Sequence, residues 1–410
     1  MKYAFTCLFL LSACDIPVPD SGCAKVTKEG NVIHVEYCDG GVAGSAGNPP
    51  VAGSGGAGVG GSSSAGTAGH DHTAGMSGGG VSGAGVGGSA GMGGMSSAGM
   101  GGAAGAHMHG GQPVVLPFPA PRAGRTDFVL VSAGNRVPQR DAGEIGAART
   151  RCYASFFSFD DPIVYPGMPG LAHAHMFWGA DKVDSNGVVA GAGGTCRGGA
   201  VNLSGYWAPA LLDASGKALV PYVLDVYYKQ SNYDLSPNSM SFVPPPKGLK
   251  ILGGVMTGTK ANPQSTRIMS WSCEGPDTSN GNGSSSGIPS GCTTPAMHVH
   301  FPYCWDGVNL DSPDHRTHVV YPSGGKCPSS NSVLIPAISF HVYYRNVGAG
   351  AHLSCDANAT EGGYCGHGDE ILNWDPTIMQ SLVKNCVNAG LSCGSDLTGD
   401  GRSMDSFGGN

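Results

Sequence analysis

Charged side chains are scarce in this 410-residue chain: they make up 12% of it, with a formal net charge of −7. There is therefore no basic surplus of the kind that releases counterions from a phosphate backbone, and nucleic acid is excluded as a partner. Beyond residue 11, no apolar run approaches the roughly 20 residues that a membrane-spanning helix needs. The chain also lacks any C-x-x-C, although it holds 14 cysteines. Zinc-ribbon and thioredoxin-like chemistry lose their usual spacing, and so many thiols point to a compartment where they oxidise.

What is abundant is glycine, with 70 residues at their densest between positions 40 and 111. From Gly40 to Gly111 the chain is almost entirely Gly, Ala, Ser and Met. Such a stretch cannot bury enough surface to offset the entropy of ordering it, so residues 40–112 read as a disordered linker. As a flexible coil it would span roughly 45 Å. The segment 1–13 reads as a lipoprotein signal: Lys2, a short apolar run from Tyr3 to Leu11, then Leu11-Ser12-Ala13 before Cys14, the expected lipidation site. Residues 14–39 form a small lipid-anchored segment, whose run Val32–Tyr37 after the Glu29-Gly30 turn predicts a hairpin closed by Cys23–Cys38. The expected product is exported and membrane-held through lipid on Cys14, facing the periplasm or the cell exterior. Its oligomeric state is not indicated.

Residues 113–395 carry the folded domain and 396–410 a flexible tail. Short runs rich in β-branched and aromatic residues, at 128–131, 219–228, 249–252, 297–301 and 338–344, read as strands between Gly, Pro, Asn and Ser turns. One helix is expected over Pro376–Val387, with Ile378, Met379, Leu382 and Val383 at helical spacing behind Asp375 as N-cap. The fold class is mainly β: an antiparallel β-sandwich or jelly-roll-like domain with long loops and a short C-terminal helix. Short-range pairing of the domain cysteines gives Cys152–Cys196, Cys273–Cys292, Cys304–Cys327, Cys355–Cys365 and Cys386–Cys393 as the expected bridges.

Three blocks concentrate polar chemistry. The first runs from Ser158 to His175 and ends in His173-Ala174-His175, whose imidazoles share one face if the chain is extended there, as in many paired metal ligands. The second, residues 298–318, packs His298, His300, His315 and His318 with Asp306, Asp311 and Asp314. The third is His367-Gly368-Asp369. Each has a plainer reading. Asp306 and Asp311 suit turn closure, Trp207 and Trp305 suit a core, and His315 with His318 suits a structural pair.

The path through Asp161-Pro162-Ile163-Val164, His173-x-His175, Tyr206-Trp207-x-Pro209, Cys304-Trp305-Asp306-Gly307, Leu310-Asp311-Ser312-Pro313-Asp314-His315-x-x-His318, Tyr321-Pro322, Cys327-Pro328 and His367-Gly368-Asp369 closely resembles the DUF1996 family of secreted domains over residues 150–390. The resemblance implies functional weight at His173, His175, Asp306, Asp314, His315, His318, His367 and Asp369. The chain departs from the family pattern at His298 and at Glu370-Ile371-Leu372. Family members often accompany carbohydrate-binding modules, which associates them with extracellular or cell-wall polysaccharide.

Two readings follow. One is a polysaccharide-active hydrolase or lyase, with His315, His318, Asp306, Asp314, His367 and Asp369 in acid–base roles. In this reading His173, His175 and His315 are candidate ligands for a divalent metal, and Tyr206, Trp207 and Trp305 are candidate sugar contacts. The other is a non-catalytic glycan-binding or surface-attachment module. A cleft uniting the histidines favours the first reading, and a shallow aromatic face favours the second.

Overall fold

The computed structural model describes residues 114–116, 123–140, 145–230, 241–274, 285–356 and 362–405, together with the backbone of short strands at 2–6, 24–29, 32–37, 108–109 and 112–113. The chain divides into two units, Met1–Ser96 and Ser97–Asn410. In the first, Ala24–Glu29 and Val32–Tyr37 form the expected antiparallel hairpin, and Lys2–Thr6 pairs with the other edge of Val32–Tyr37. Cys14, Cys23, Cys38 and residues 40–96 of the linker lie outside the described residues.

The second unit is built on ten strands: β1 (Ala147–Cys152), β2 (Phe156–Ser158), β3 (His175–Gly179), β4 (Gly205–Pro209), β5 (Val223–Lys229), β6 (Lys250–Gly254), β7 (Met269–Cys273), β8 (Pro295–His300), β9 (Ala337–Tyr343) and β10 (His367–Ile371). They form two five-stranded sheets, ordered β6-β10-β4-β3-β2 and β7-β8-β9-β5-β1. Every pairing within both sheets is antiparallel. Side chains alternate across a strand, so each sheet sends one set inward. Met176, Trp178, Tyr206, Ala208 and Ile251 of the first sheet meet Leu224, Val226, Tyr228, Met297, Val299, Phe340 and Val342 of the second in one core. The fold is an antiparallel β-sandwich.

Gly368 lets the two sheets approach. A Cβ there would lie 2.9 Å from the Phe340 ring and 3.1 Å from that of Phe301. A smaller apolar layer of Ile163, Phe177, Trp207, Leu252 and Ile371 covers part of the outer face of the first sheet.

All five expected domain disulfides are present. The helix also stands where the pattern placed it: α1 spans Pro376–Leu382, and Val383–Val387 continue it as a wider π turn. Asp375 caps it by accepting from the backbone N–H groups of Thr377 and Ile378 at 2.9 and 3.1 Å, and Ile378, Met379 and Leu382 are buried. Among the described residues, no helix is long and apolar enough to cross a membrane.

Candidate metal centre on the outer face of the first sheet

Two central strands and the one between them place the site. Register sets His175 of β3 opposite Pro209 of β4. On the other side of β4, Trp207 pairs with Asp369, so two residues further along His367 flanks the same level. His175, His367 and Asp369 occupy odd positions, pointing away from the core shared by the sheets, and all three are buried. His173 lies two residues before His175 and is half-buried. The three imidazoles converge, with ring centroids 4.2 Å apart for His173 and His175, 5.1 Å for His173 and His367, and 5.9 Å for His175 and His367.

Hydrogen bonds fix the orientation of two of these rings. Nδ1–H of His175 donates to the Asp160 carbonyl at 3.0 Å, and Nδ1–H of His367 donates to the Cys365 carbonyl at 2.8 Å. A backbone carbonyl can only accept, so each Nε2 is left as the lone-pair nitrogen. Neither Nε2, nor Oδ2 of Asp369, has a hydrogen-bond partner among the described residues. His175, His367 and Asp369 each offer a ligand atom within 4.8 Å of the others, and Nε2 of His367 lies 3.8 Å from Oδ2 of Asp369.

Burial dominates the electrostatics. It pushes His175 and His367 down to about 4, with the neighbouring His175 adding to the shift at His367. Both rings are therefore neutral around pH 7. Burial also raises Asp369 well above the usual carboxylate range, reinforced by the nearby Asp161 and opposed by Arg316. Asp161, itself buried, is raised by burial against the backbone N–H bonds of Val164 and Ile163, and it senses His367 and His315. Its Oδ1 holds those two N–H groups at 2.9 and 3.0 Å, whereas Oδ2 has no partner among the described residues. Three imidazoles and two carboxylates thus share one site, in which Nε2 of His175 and His367 and Oδ2 of Asp161 and Asp369 have no hydrogen-bond partner among the described residues. That is the donor set of a borderline divalent cation, with carbonyl-fixed imidazoles as in established metal sites. Cys355 also lies near His173 and His367, but its sulfur is committed to Cys365.

The D-S-x-D-H-x-x-H motif lies inside the loop closed by Cys304–Cys327. His315 has a left-handed backbone, φ 56°, which non-glycine residues adopt infrequently. Its Nδ1 bonds Oδ1 of Asp311 at 2.8 Å, and Oδ2 of Asp311 accepts from Lys250 at 2.9 Å. Arg316 donates to the carbonyl of Gly254 at 3.1 Å, which pairs with His367. The loop therefore brings a His–Asp dyad and a cation to the edge of the buried cluster.

Other expected site residues do structural work. His318 has both nitrogens engaged, Nδ1 with the Ser312 hydroxyl at 2.8 Å and Nε2 with the Lys250 carbonyl at 2.7 Å. Asp306 accepts from the backbone of Val308 and Asn309, both at 2.9 Å. Asp314 accepts from the N–H groups of Arg316 and Thr317 and from two hydroxyls, which hold it well below the usual carboxylate range. These three shape the loop and stand apart from the imidazole cluster.

Tyr206 and Trp207 are fully buried. Tyr206 bonds Tyr228 inside the sandwich at 2.9 Å, and Trp207 stacks on Phe177 with centroids 5.5 Å apart. Neither ring offers a face to a sugar. Half-buried Trp305 donates to the Asn309 carbonyl at 2.7 Å. Glu370 points into the core, and burial raises its carboxyl well above the usual carboxylate range.

Asp161 and Arg316 were absent from the sequence-derived site set. Both lie within motifs that carry the resemblance, and a polar residue inside such a motif was the available signal. The family model described as "Domain of unknown function (DUF1996)" matches residues 161–374, a span containing every residue of the cluster. No curated protein and no solved structure matches the chain.

Proposed function

This chain belongs to the DUF1996 family, and with the geometry above as a second premise we propose that it is an extracellular, surface-anchored hydrolase or lyase acting on polysaccharide through a divalent metal. The observation that carries this reading is the pair of lone-pair Nε2 atoms of His175 and His367, facing the buried Oδ2 of Asp369 with no other partner among the described residues. His173 completes the set from the adjoining chain. A metal bound there supplies Lewis acidity toward a substrate oxygen.

The protein's own residues supply the rest. Asp311 orients His315 so that Nδ1 carries the hydrogen-bonded proton and Nε2 exchanges one with substrate, the usual division of labour in an Asp–His dyad. Arg316 gives the rim a positive charge suited to a carboxylated or sulfated sugar. Asp161 adds negative charge that holds a cation in the cluster. Burial of Tyr206 and Trp207 withdraws two of the three expected sugar-contacting rings from a glycan, which favours the catalytic reading over a purely glycan-binding module.

The same reading places the domain at the end of a tether. Lipid on Cys14 holds the chain to the envelope, and residues 40–112 give the domain reach toward polymer outside the membrane. The five disulfides accord with an oxidising compartment.

The test is metal content followed by turnover. The purified chain is expected to hold one divalent ion and to depolymerise an acidic polysaccharide in a chelator-sensitive way. His315→Gln should retain the ion and lose at least about a hundredfold in turnover, as removal of a general acid–base group does; Asp369→Asn should lose both. Absence of a stoichiometric ion after loading with zinc, manganese, nickel or copper would overturn the proposal.

A further inference from the structure

The outer face of the second sheet carries another cluster. His298 and His300 lie two apart on β8, and register sets His298 opposite His341 of β9. The two rings meet edge to face, with centroids 4.6 Å apart and Nδ1 to Nδ1 3.0 Å. Nε2 of His298 lies 2.7 Å from Oγ of Ser272 on edge strand β7, and Nε2 of His341 lies 3.3 Å from Oγ of Ser339.

A single direction of donation satisfies the whole row. The Ser272 hydroxyl donates to Nε2 of His298, Nδ1–H of His298 donates to Nδ1 of His341, and Nε2–H of His341 donates to Ser339. A hydroxyl donating to an imidazole whose far nitrogen is held by a third group is the arrangement that activates a serine nucleophile.

We propose that Ser272, His298 and His341 form a second reactive site, a serine nucleophile with its base and an orienting imidazole, that hydrolyses small carboxylic esters independently of the metal centre. In the acyl-transfer step, Ser272 Oγ bonds to the ester carbonyl carbon while its proton passes to His298 Nε2. The carbon–oxygen bond to the alcohol then breaks, and the alcohol oxygen takes that proton from Nε2. Water repeats the sequence on the acyl-serine, giving the acid and restoring Ser272, so that ester plus water yields acid plus alcohol.

Three further features fit this chemistry. Burial keeps His298 neutral, pushed down to about 4, with Lys229 adding to the shift, so Nε2 can accept at neutral pH. Glu274, whose Oε1 lies 3.7 Å from that Nε2, offsets the charge of the imidazolium as it forms. Ser272 is half-buried, so small esters can reach it.

The test uses the full, disulfide-intact chain with a fluorophosphonate probe and with p-nitrophenyl acetate as the reporter ester. Peptide mapping is expected to find one adduct, on Ser272, that heat-denatured protein does not form. Ser272→Ala, checked by its melting transition, should abolish both adduct and acetate release. His298→Gln should slow labelling by at least about a hundredfold, the usual worth of a positioned general base. Chelation should change neither rate, which separates this site from the metal centre. An adduct absent from Ser272, undiminished in Ser272→Ala, or lost on chelation would overturn the proposal.

Discussion

If His175, His367 and Asp369 seat a divalent ion that the unfolded chain cannot seat, adding the ion must raise thermal stability by mass action. At a free concentration one hundred times the dissociation constant, the gain is about 2.7 kcal/mol. A folded domain of about 280 residues has an unfolding entropy near 0.6 kcal/mol/K, at about 2.1 cal/mol/K per residue, so the expected rise in Tm is about 5 °C. Differential scanning calorimetry of the chelator-stripped chain, with and without zinc, measures it. His367→Ala should remove the increment whatever it does to the starting Tm, because it deletes one of the orphaned nitrogens. His318→Ala supplies the contrast: its ring bridges Ser312 and the Lys250 carbonyl, so it should lower the baseline Tm and keep the full zinc increment. Equal increments in wild type and His367→Ala, or none in wild type, would refute the reasoning.

Two further outcomes are expected. His298 and His300 are pushed down by burial to about 4 and about 3; the unfolded chain therefore takes up their protons first, near pH 6.5. Their contribution to stability is complete above that pH and is lost as pH falls, by about 1.4 kcal/mol per pH unit for each ring. Unfolding at pH 5 should show proton uptake as a dependence of calorimetric enthalpy on buffer ionisation, and a buffer-independent enthalpy would count against it. Cys14→Ser should shift the protein from membrane to soluble fractions or leave it uncleaved, whereas unchanged partitioning would end the lipid-anchor reading.

The sandwich was legible where local physics dominates. The five domain disulfides close short loops, and α1 has its apolar spacing and its Asp375 cap in sequence. The runs that gave β5, β6, β8 and β9 are rich in β-branched or aromatic residues. Strands β3, β4 and β10 carry no such run. His175–Gly179, Gly205–Pro209 and His367–Ile371 are buried at every position, as β8 is, but the Gly and Pro within them read as turns.

Those same strands hold the centre, which explains its partial legibility. H-x-H and H-G-D could be named as motifs, but that they flank Pro209 at one level depends on non-local register. Asp306, Asp314 and His318 belong to the same family motifs, yet turn chemistry claims their polar atoms. Tyr206 and Trp207 are polar-tipped aromatics whose alternation assigns one ring to each face of a sheet covered on both sides.

The split between strand-borne ligands and a loop-borne dyad has an evolutionary corollary. His175, His367 and Asp369 are tied to sheet register, so their relative placement resists change. His315 and Arg316 ride on a segment whose ends are clamped by Cys304–Cys327 and whose middle is pinned to β6 through the Lys250 and Gly254 carbonyls. Selection can therefore retune the chemistry at the exposed positions of that loop while its pinned residues stay fixed, and exchanging only those positions between relatives should carry substrate preference while leaving ion affinity with the recipient.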